Sequence, residues 1–419
     1  MPPRSSSSGE VLSTRALNRA LLARQMLLRR AELSAADALE HVVGMQAQAP
    51  NPPYLGLWTR LDGFAIDDLA TLVRERKAVR IALMRSTIFL VTARDALRLR
   101  PVLHAELLRW GKTVYRKGLQ GVDVDALAVA ARALVEEAPR TWAELGPLLS
   151  QRWPAADRTA LVGMARTILP LVQVPPRGIW GESGPAAHTT AEHWLGQPLA
   201  AETAPDNMVM RYLAAFGPAS VRDAQHWCGL KRLNVVMDRL RPRLVSFRDE
   251  NGTELFDLPD APRPDADTPA PVRFLPDFDN VLLSHADRTR IISEEDRARV
   301  FSVNGIIRAS ILVDGFVRGC GRSKRSATRL CWSSTLSWRS PPRTGARWRK
   351  KASAWSASPP RMPPGTRCGS RSPRARRTSS NGAGRPGSNA VDRQKHPRAA
   401  AVRGCFIGTV RILYRTKID

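Results

Sequence analysis

Between residues 205 and 262, apolar positions follow a helical period three times and then alternate with polar positions twice. Gly217-Pro218 and Gly229 separate the helical segments, because neither favours an uninterrupted helix. Asn251-Gly252 separates the alternating segments and is a strong hairpin signal. Three helices and a hairpin make a winged-helix unit. Its predicted helices are Met208 to Phe216, Val221 to Cys228 and Lys231 to Leu240, and its predicted strands are Leu244 to Phe247 and Thr253 to Leu258.

Two earlier stretches, residues 11–115 and 120–200, show a similar succession of helical and alternating segments. Strands are predicted at Val79 to Met84 and Thr87 to Thr92, and Leu171 to Val174 with Pro175 to Trp180 is a candidate strand–turn–strand wing. Each stretch is therefore predicted to be a further winged-helix unit. Their predicted helices are Ala16 to Leu28, Ala35 to Gly44, Asp67 to Arg76, Ala93 to Trp110, Val124 to Glu137, Trp142 to Leu149 and Ala156 to Leu169.

The sequence pattern changes from helical to strand-like at residues 270–320, where Arg273 to Pro276 and Ile311 to Val317 are predicted strands. The predicted fold is mainly α with small β wings, an α+β protein. Three tandem winged-helix units at 11–115, 120–200 and 205–262 precede a truncated β-rich domain at 270–320. Residues 1–10 are serine-rich and are expected to form a disordered arm.

Positive charge is concentrated in the last quarter of the 419-residue chain. The whole sequence has a net charge of +27, but residues 321–419 hold 24 Lys and Arg against two acidic residues, a net charge of +22. The regular patterns also stop near Cys320. We interpret residues 321–419 as out of frame and expect a disordered tail without a packed core. A genuine basic tail that binds RNA is the alternative.

The first 320 residues have a net charge of only +5, and they contain neither a run of 18 apolar residues nor an apolar signal segment. Cys228 is the one cysteine before residue 320, and no CxxC pair occurs. A zinc site or disulfide framework is therefore not expected. These features favour a cytoplasmic protein without a metal or other cofactor.

Basic residues cluster on and after the third helix of the 205–262 unit. In a winged helix this helix enters the major groove, and the wing contacts the DNA backbone. The alternative is a unit that serves only for packing, with these residues as a solvated rim. The candidate DNA contacts are Lys231, Arg232, Arg239, Arg241 and Arg243.

Three ordered segments carry a resemblance to a known family. They are Gly44-Met-Gln-Ala-Gln-Ala-Pro-Asn-Pro-Pro-Tyr-Leu-Gly-Leu-Trp-Thr-Arg60, Ala82-Leu-Met-Arg-Ser-Thr-Ile-Phe-Leu-Val91 and Phe274-Leu-Pro-Asp-Phe-Asp-Asn-Val-Leu-Leu-Ser-His-Ala-Asp-Arg288. Over roughly residues 11 to 319, the chain resembles the bacterial winged-helix DNA-binding domain family that includes the AlkZ-type and YcaQ-type DNA glycosylases. The resemblance stops at Gly319-Cys320, which independently supports a shift of reading frame.

The resemblance implies tandem winged helices around a channel and a monofunctional DNA glycosylase that removes alkylated or crosslinked bases. Its partner would be double-stranded DNA, and we expect a monomer. A non-catalytic DNA-binding protein or transcriptional regulator is the alternative. Regulators usually carry one winged helix, however, whereas this sequence predicts three.

The family's glycosylases carry a Gln-x-Gln or Gln-x-Asp motif, which Gln46 and Gln48 match here. A glutamine carbonyl oxygen holds a water or faces a developing sugar cation, but it has no pKa that would make it a strong base. The pair therefore implies an easy leaving group, such as a cationic N7-alkylated purine. Both amides should face one concave, basic channel. The alternative is that they only stabilise the chain turn before Pro50.

The other two segments contain further candidate DNA contacts, namely Arg85, Thr87, His285 and Arg288. For Arg85 the alternative is a salt bridge, and for His285 it is a structural bond to Asp279 or Asp287. Near the wing the family often has His where this chain has Phe89. His188 and His193 are interpreted as ordinary loop and helix residues. Asp277, Asp279 and Asp287 lack further ligands that would complete a metal site.

Overall fold

The computed structural model of the protein describes residues 9–302, 304–326, 329–336 and 408–413, which form an α+β fold. No helix in these ranges is long and apolar enough to cross a membrane. The α-helices of the described residues are α1 Thr14–Arg24, α2 Ala35–His41, α3 Pro52–Arg60, α4 Ile66–Arg74, α5 Ala93–Tyr115, α6 Val124–Glu137, α7 Trp142–Arg152, α8 Arg158–Ile168, α9 Ala191–Leu195, α10 Asp206–Phe216, α11 Val221–Cys228, α12 Leu233–Leu240 and α13 Glu294–Val300.

The β-strands of the same residues form three sheets. The sheets have the orders β1-β7-β8, β2-β4-β3-β5-β6 and β9-β10-β11-β12-β13. The strands are β1 Val11–Leu12, β2 Met45–Gln46, β3 Ala78–Ala82, β4 Ile88–Thr92, β5 Leu171–Gln173, β6 His188–Thr190, β7 Val245–Asp249, β8 Glu254–Asp257, β9 Arg273–Leu275, β10 Ser310–Val313, β11 Phe316–Ser326, β12 Arg329–Leu336 and β13 Gly408–Leu413.

Polar caps begin α7 and α11. At α7, Glu144 N donates to Thr141 Oγ1 (3.3 Å) and Thr141 N donates to Glu144 Oε2 (2.8 Å). At α11, Ser220 and Asp223 form the same reciprocal pair, at 3.2 and 3.0 Å. Each pair satisfies two backbone donors that a helix start would otherwise leave unbonded. The sequence predicts the first of these capping boxes and the cap of the second.

The candidate wing of residues 171–180 differs from its prediction. β5 pairs with β6, so that Val172 lies opposite Thr189, and residues 175–180 form turns instead of the return strand. His188 therefore lies in a strand and not in a loop. β5 also pairs with β3, which joins the strand pairs of the first two predicted units in one sheet. Alternation along a short segment indicates a strand but does not identify its neighbour.

The sheet at residues 270–320 contains one more turn than the sequence predicts. β10 and β11 form a hairpin around Asp314-Gly315, where one strand from Ile311 to Val317 is predicted. Both turn residues have positive φ, 49° and 83°, as a tight Asp-Gly hairpin requires. β11, β12 and β13 also place strands within the predicted tail. Residues 1–8, 303, 327–328, 337–407 and 414–419 lie outside the described residues.

The N-terminal segment packs on the 205–262 unit instead of remaining apart from it. β1 pairs in parallel with β7, Val11 beside Arg248. Inside, Arg24 of α1 forms a bidentate ion pair with Asp257 of β8, at 2.6 and 2.7 Å, and both side chains are fully buried. These contacts bring both ends of the 11–262 region into one packed structure.

Candidate active site

Gln46 is the last residue of β2, which pairs with β4, and Gln48 follows two residues later in a bend. Gln46 is opposite Phe89, and Ala47 N donates to Ile88 O at 2.7 Å. Ala47, between the two glutamines, is fully buried. Gln46 is 7% exposed, whereas Gln48 is exposed to solvent. The Gln48 side chain accepts a hydrogen bond from Ile88 N through Oε1, at 2.8 Å.

Arg85 joins three distant segments at Gln46. Its Nη2 donates to Gln46 Oε1 at 2.9 Å and, more weakly, to Asn280 Oδ1 at 3.4 Å. Its Nη1 donates to the carbonyl oxygen of Trp227, at the end of α11. All these partners of Arg85 are neutral. Among the described residues, Arg85 therefore does not form the salt bridge that was the alternative prediction. Burial lowers the pKa of Arg85 to about 10, which leaves it cationic at neutral pH.

Phe89 occupies the position at which the family often has histidine. It is fully buried, and the Arg85 guanidinium lies over its ring, 5.5 Å from the centroid. A face of an aromatic ring attracts a cation, so Phe89 stabilises the position of Arg85. It offers no hydrogen-bonding group to a ligand.

A narrow cleft of about 10 Å³ adjoins Gln46, which is room for roughly one water molecule. Its walls come from β2, α3 and the loop after β9. The residues that line the cleft include Gln46, Pro52, Arg60, Asp277, Asp279 and Asn280. Gln48 does not line this cleft, so the two glutamines do not share it, and its charged lining residues Arg60, Asp277 and Asp279 do not make it basic.

Two polar contacts connect the walls of the cleft. Arg60 and Asp279 form a buried bidentate ion pair, with both N–O distances at 2.9 Å. Asn280 Nδ2 donates to Gly44 O at 3.1 Å. Segments 44–60 and 274–288, which are far apart in sequence, therefore meet at this cleft. The third segment, 82–91, reaches it through Arg85.

Asp277 is the remaining acidic residue of the cleft. Its Oδ1 accepts a hydrogen bond from Ala309 N at 2.9 Å, and the side chain is half-buried. Burial raises the pKa of Asp277 above its usual range. The sequence alone indicates no role for Asp277 beyond that of a possible metal ligand. Within the described residues, no group of three or more His, Cys, Asp and Glu is arranged to hold a metal ion.

His285 and Arg288 do not lie on an open surface. His285 is 1% exposed, and its ring nitrogens contact Phe216 O at 3.0 Å and Ser284 Oγ at 3.1 Å. The predicted bond to Asp279 or Asp287 is therefore replaced by these partners. Burial, followed by the nearby Arg290, lowers the pKa of His285. Arg288 is 7% exposed and contacts His226 Nε2 at 2.8 Å. DNA contact by either side chain would require this packing to open.

The basic residues on and after α12 fall into two groups. Arg239 and Arg241 are held by carboxylates, with Arg239 bonded to Asp206 at 2.6 Å and Arg241 bonded to Glu254 at 2.7 Å. The other group is exposed and forms no ion pair with the described residues. It consists of Lys231, Arg232 and Arg243. Sequence alone did not distinguish the groups, because the neutralising carboxylates lie on α10 and β8.

The turn between α11 and α12 packs on the Arg85 segment. A Cβ atom added to Gly229 would lie 3.6 Å from Arg85 N, so the two backbones are close. Lys231 and Arg232 follow within three residues. The backbone that leads to the unpaired cations at the start of α12 therefore passes close to the Arg85 segment. Thr87, beyond Arg85, is half-buried and donates from Oγ1 to Met84 O at 3.0 Å.

Comparisons with known proteins give a consistent result. The family model described as DNA glycosylase AlkZ-like matches residues 39–352, which includes all three segments around the cleft and extends beyond Cys320. The chain is similar to the solved structure of the Streptomyces sahachiroi DNA glycosylase AlkZ, with a TM-score of 0.65 and 20% sequence identity. The similarity covers 82% of this chain and 95% of that chain. No curated protein sequence matches.

Proposed function

The chain belongs to the AlkZ-like DNA glycosylase family, and we propose that it is a monofunctional DNA glycosylase that releases alkylated or crosslinked bases from double-stranded DNA. One observation carries this proposal. Gln46 lies where the three family segments meet, at the edge of a cleft and bonded to the cationic Arg85.

The chemistry fits an easy leaving group. Release of a base breaks its bond to C1′ of deoxyribose and creates positive charge on the sugar, which the site has to stabilise. Glutamine amides position water and bond to polar groups, but they do not act as strong bases. An N7-alkylated guanine is already cationic and departs as a neutral base. Such a lesion needs less acid catalysis than an undamaged base.

The arrangement of α10, α11 and α12 with the β7–β8 hairpin supports a winged-helix interpretation of residues 205–262. In that interpretation α12 enters the major groove, and the hairpin contacts the backbone. The interpretation extends by analogy to residues 11–115 and 120–200. Their strands share one sheet, however, so any tandem units there are joined rather than independent.

Excision from a defined duplex tests the proposed activity. A duplex with one N7-methylguanine should lose that base under single-turnover conditions, leaving an intact strand that breaks only after alkali treatment. The same duplex without protein measures spontaneous loss, and an undamaged duplex should lose no base. Binding of the alkylated duplex without base release above the spontaneous rate would favour the non-catalytic alternative.

DNA binding should depend more on the unpaired cations than on the paired ones. Replacing Lys231, Arg232 and Arg243 by Ala should weaken duplex binding and lower the slope of log K against log salt by about 1 for each phosphate that is no longer neutralised. The full chain keeps its basic tail in this comparison, so the difference from wild type reports the α12 surface.

The matched variant is Arg239→Ala with Arg241→Ala. These side chains give up ion pairs before they reach a phosphate, so a smaller loss of affinity is expected. Titrations at several salt concentrations measure both variants. Equal salt slopes for wild type and the triple variant would contradict a DNA contact at this surface.

A further inference from the structure

Both glutamine amides already use their oxygens. Gln46 Oε1 accepts from Arg85, and Gln48 Oε1 accepts from Ile88 N. These donors fix the orientation of each amide, because the amide NH₂ group cannot accept a hydrogen bond. The second lone pair of Gln46 Oε1 lies beside a guanidinium cation, which weakens its attraction for another positive group. The glutamines therefore offer mainly N–H groups to a substrate.

This arrangement leaves an electrostatic requirement unmet. Hydrolysis of a glycosidic bond passes through a transition state with positive charge on the sugar, and glycoside hydrolases stabilise such charge with carboxylates. Arg85 adds positive charge beside Gln46. The Arg60–Asp279 pair of the cleft contributes little net charge, because its two members neutralise each other at 2.9 Å. The cleft needs a further negative group if the reaction takes place there.

Asp277 has the position and the free bonding capacity for this role. It lines the same cleft as Gln46 and follows Pro276 directly after β9. Its Oδ1 accepts from Ala309 N at 2.9 Å, and the backbone N–H of Asp277 itself also bonds to the carboxylate, which orients it. A carboxylate has about four lone-pair sites, so the group can still accept a hydrogen bond from a water. Among the described residues, Asp277 forms no ion pair with Arg60, because the Arg60 guanidinium is bonded to Asp279.

We propose that Asp277 is a catalytic carboxylate of this cleft, which holds the attacking water through Oδ2 and stabilises positive charge at C1′. This inference rests on the proposed glycosylase function. The water oxygen bonds to C1′ while the C1′–N9 bond breaks and its electron pair stays with the N7-alkylated purine, which leaves neutral. The surplus proton of the water passes to Asp277 and then to solvent. The pKa of Asp277, raised by burial, makes it a stronger base than an ordinary carboxylate.

Asp277→Asn tests the role of the charge. Asparagine keeps the shape and an oxygen that accepts from Ala309 N, so the loop should remain in place. We expect the single-turnover rate of N7-methylguanine release to fall by about 10²-fold or more, the range of a positioned acid–base group. Affinity for the same duplex should stay within about twofold, because the carboxylate does not bind phosphate.

Asp287→Asn is the matched control. Asp287 belongs to the same segment and also accepts one backbone N–H at 2.9 Å, from Thr289, but it is exposed and outside the cleft. Its replacement should leave the rate of release unchanged. Asp277→Glu, which keeps the charge, should recover part of the activity that Asp277→Asn lacks.

The pH profile separates a catalytic from a structural role. Wild-type release should fall as pH decreases through the pKa of Asp277, because protonation removes both the base and the negative charge. Arg60 and Asp279 are the other charged groups of the cleft, and their mutual ion pair is unaffected by this variant. In Asp277→Asn the acidic limb should disappear along with most of the activity.

Two results would contradict the proposal in different ways. If wild type releases N7-methylguanine and Asp277→Asn does so at the same rate and with the same pH profile, the role of Asp277 is wrong and the glycosylase proposal remains. If wild type binds the alkylated duplex and releases no base, both are wrong.

Discussion

Replacing Gln48 by Ala is expected to lower the single-turnover rate of N7-methylguanine release by about 10²–10³-fold, the usual effect of removing one well-placed polar group from an active site. Gln48 is held by Ile88 N and is exposed to solvent outside the cleft, so its amide N–H group remains available to a bound nucleotide or water. Alanine removes that donor. A neutral amide contributes no charge to phosphate binding, so DNA affinity should change little.

Gln151 supplies a control for this experiment. It is an exposed glutamine at the end of α7, and Gln151→Ala should leave both base release and DNA affinity unchanged. Gln46→Ala serves a different purpose, because it also removes a partner of Arg85 and should affect stability as well as rate. A Gln48→Ala variant that releases the base at the wild-type rate would contradict a catalytic role for this residue.

The second large effect concerns stability. Asp257→Ala should lower the free energy of unfolding by about 3–5 kcal/mol, because removing one partner leaves a buried charge without compensation. Asp257 accepts hydrogen bonds from Arg24 at 2.6 and 2.7 Å and from Arg263 at 2.6 Å. The substitution would leave the guanidinium groups of Arg24 and Arg263 without their carboxylate partner, and that of Arg24 is fully buried.

Urea unfolding of the full chain measures this change, with the shift in midpoint compared at equal slope. The control is Glu75→Ala, which removes an exposed pair with Lys77 and should cost about 0–1 kcal/mol. An Asp257→Ala variant with a wild-type midpoint would mean that the Arg24–Asp257 contact adds no stability in solution.

Local signals in the sequence predict much of the secondary structure. The helix predicted over Val124 to Glu137 has those bounds in the structure, and the hairpin at Asn251-Gly252 is present between β7 and β8. Such features depend on residues close together in sequence, namely the apolar period, the capping side chain and the turn glycine. The Asp314-Gly315 turn carries the same kind of local signal, although the sequence pattern there was interpreted as one continuous strand.

Strand partners and side-chain environments were not predictable in this way. The pairing of β5 with β6 and the burial of His285 depend on segments distant in sequence. Arg239 and Arg241 looked equivalent to Arg243 because the carboxylates that bind them come from other elements. Arg85 was noticed as a cation, but its neutral partners could not be inferred.

Most of the helices and the change of charge density at residue 320 follow from the amino-acid sequence without further information, whereas the candidacy of Gln46 and Gln48 follows from the resemblance of the sequence to a known family. Only the folded arrangement shows that Gln46 borders a cleft, that Arg85 occupies its amide oxygen and that Asp277 is the unpaired carboxylate beside it among the described residues. The difference comes from the range of the interactions. Helical periodicity is set by neighbours within a few residues. Charge, hydrogen bonding and burial in a site depend on segments as distant as Gly44 and Asn280, which bond across a separation of 236 residues.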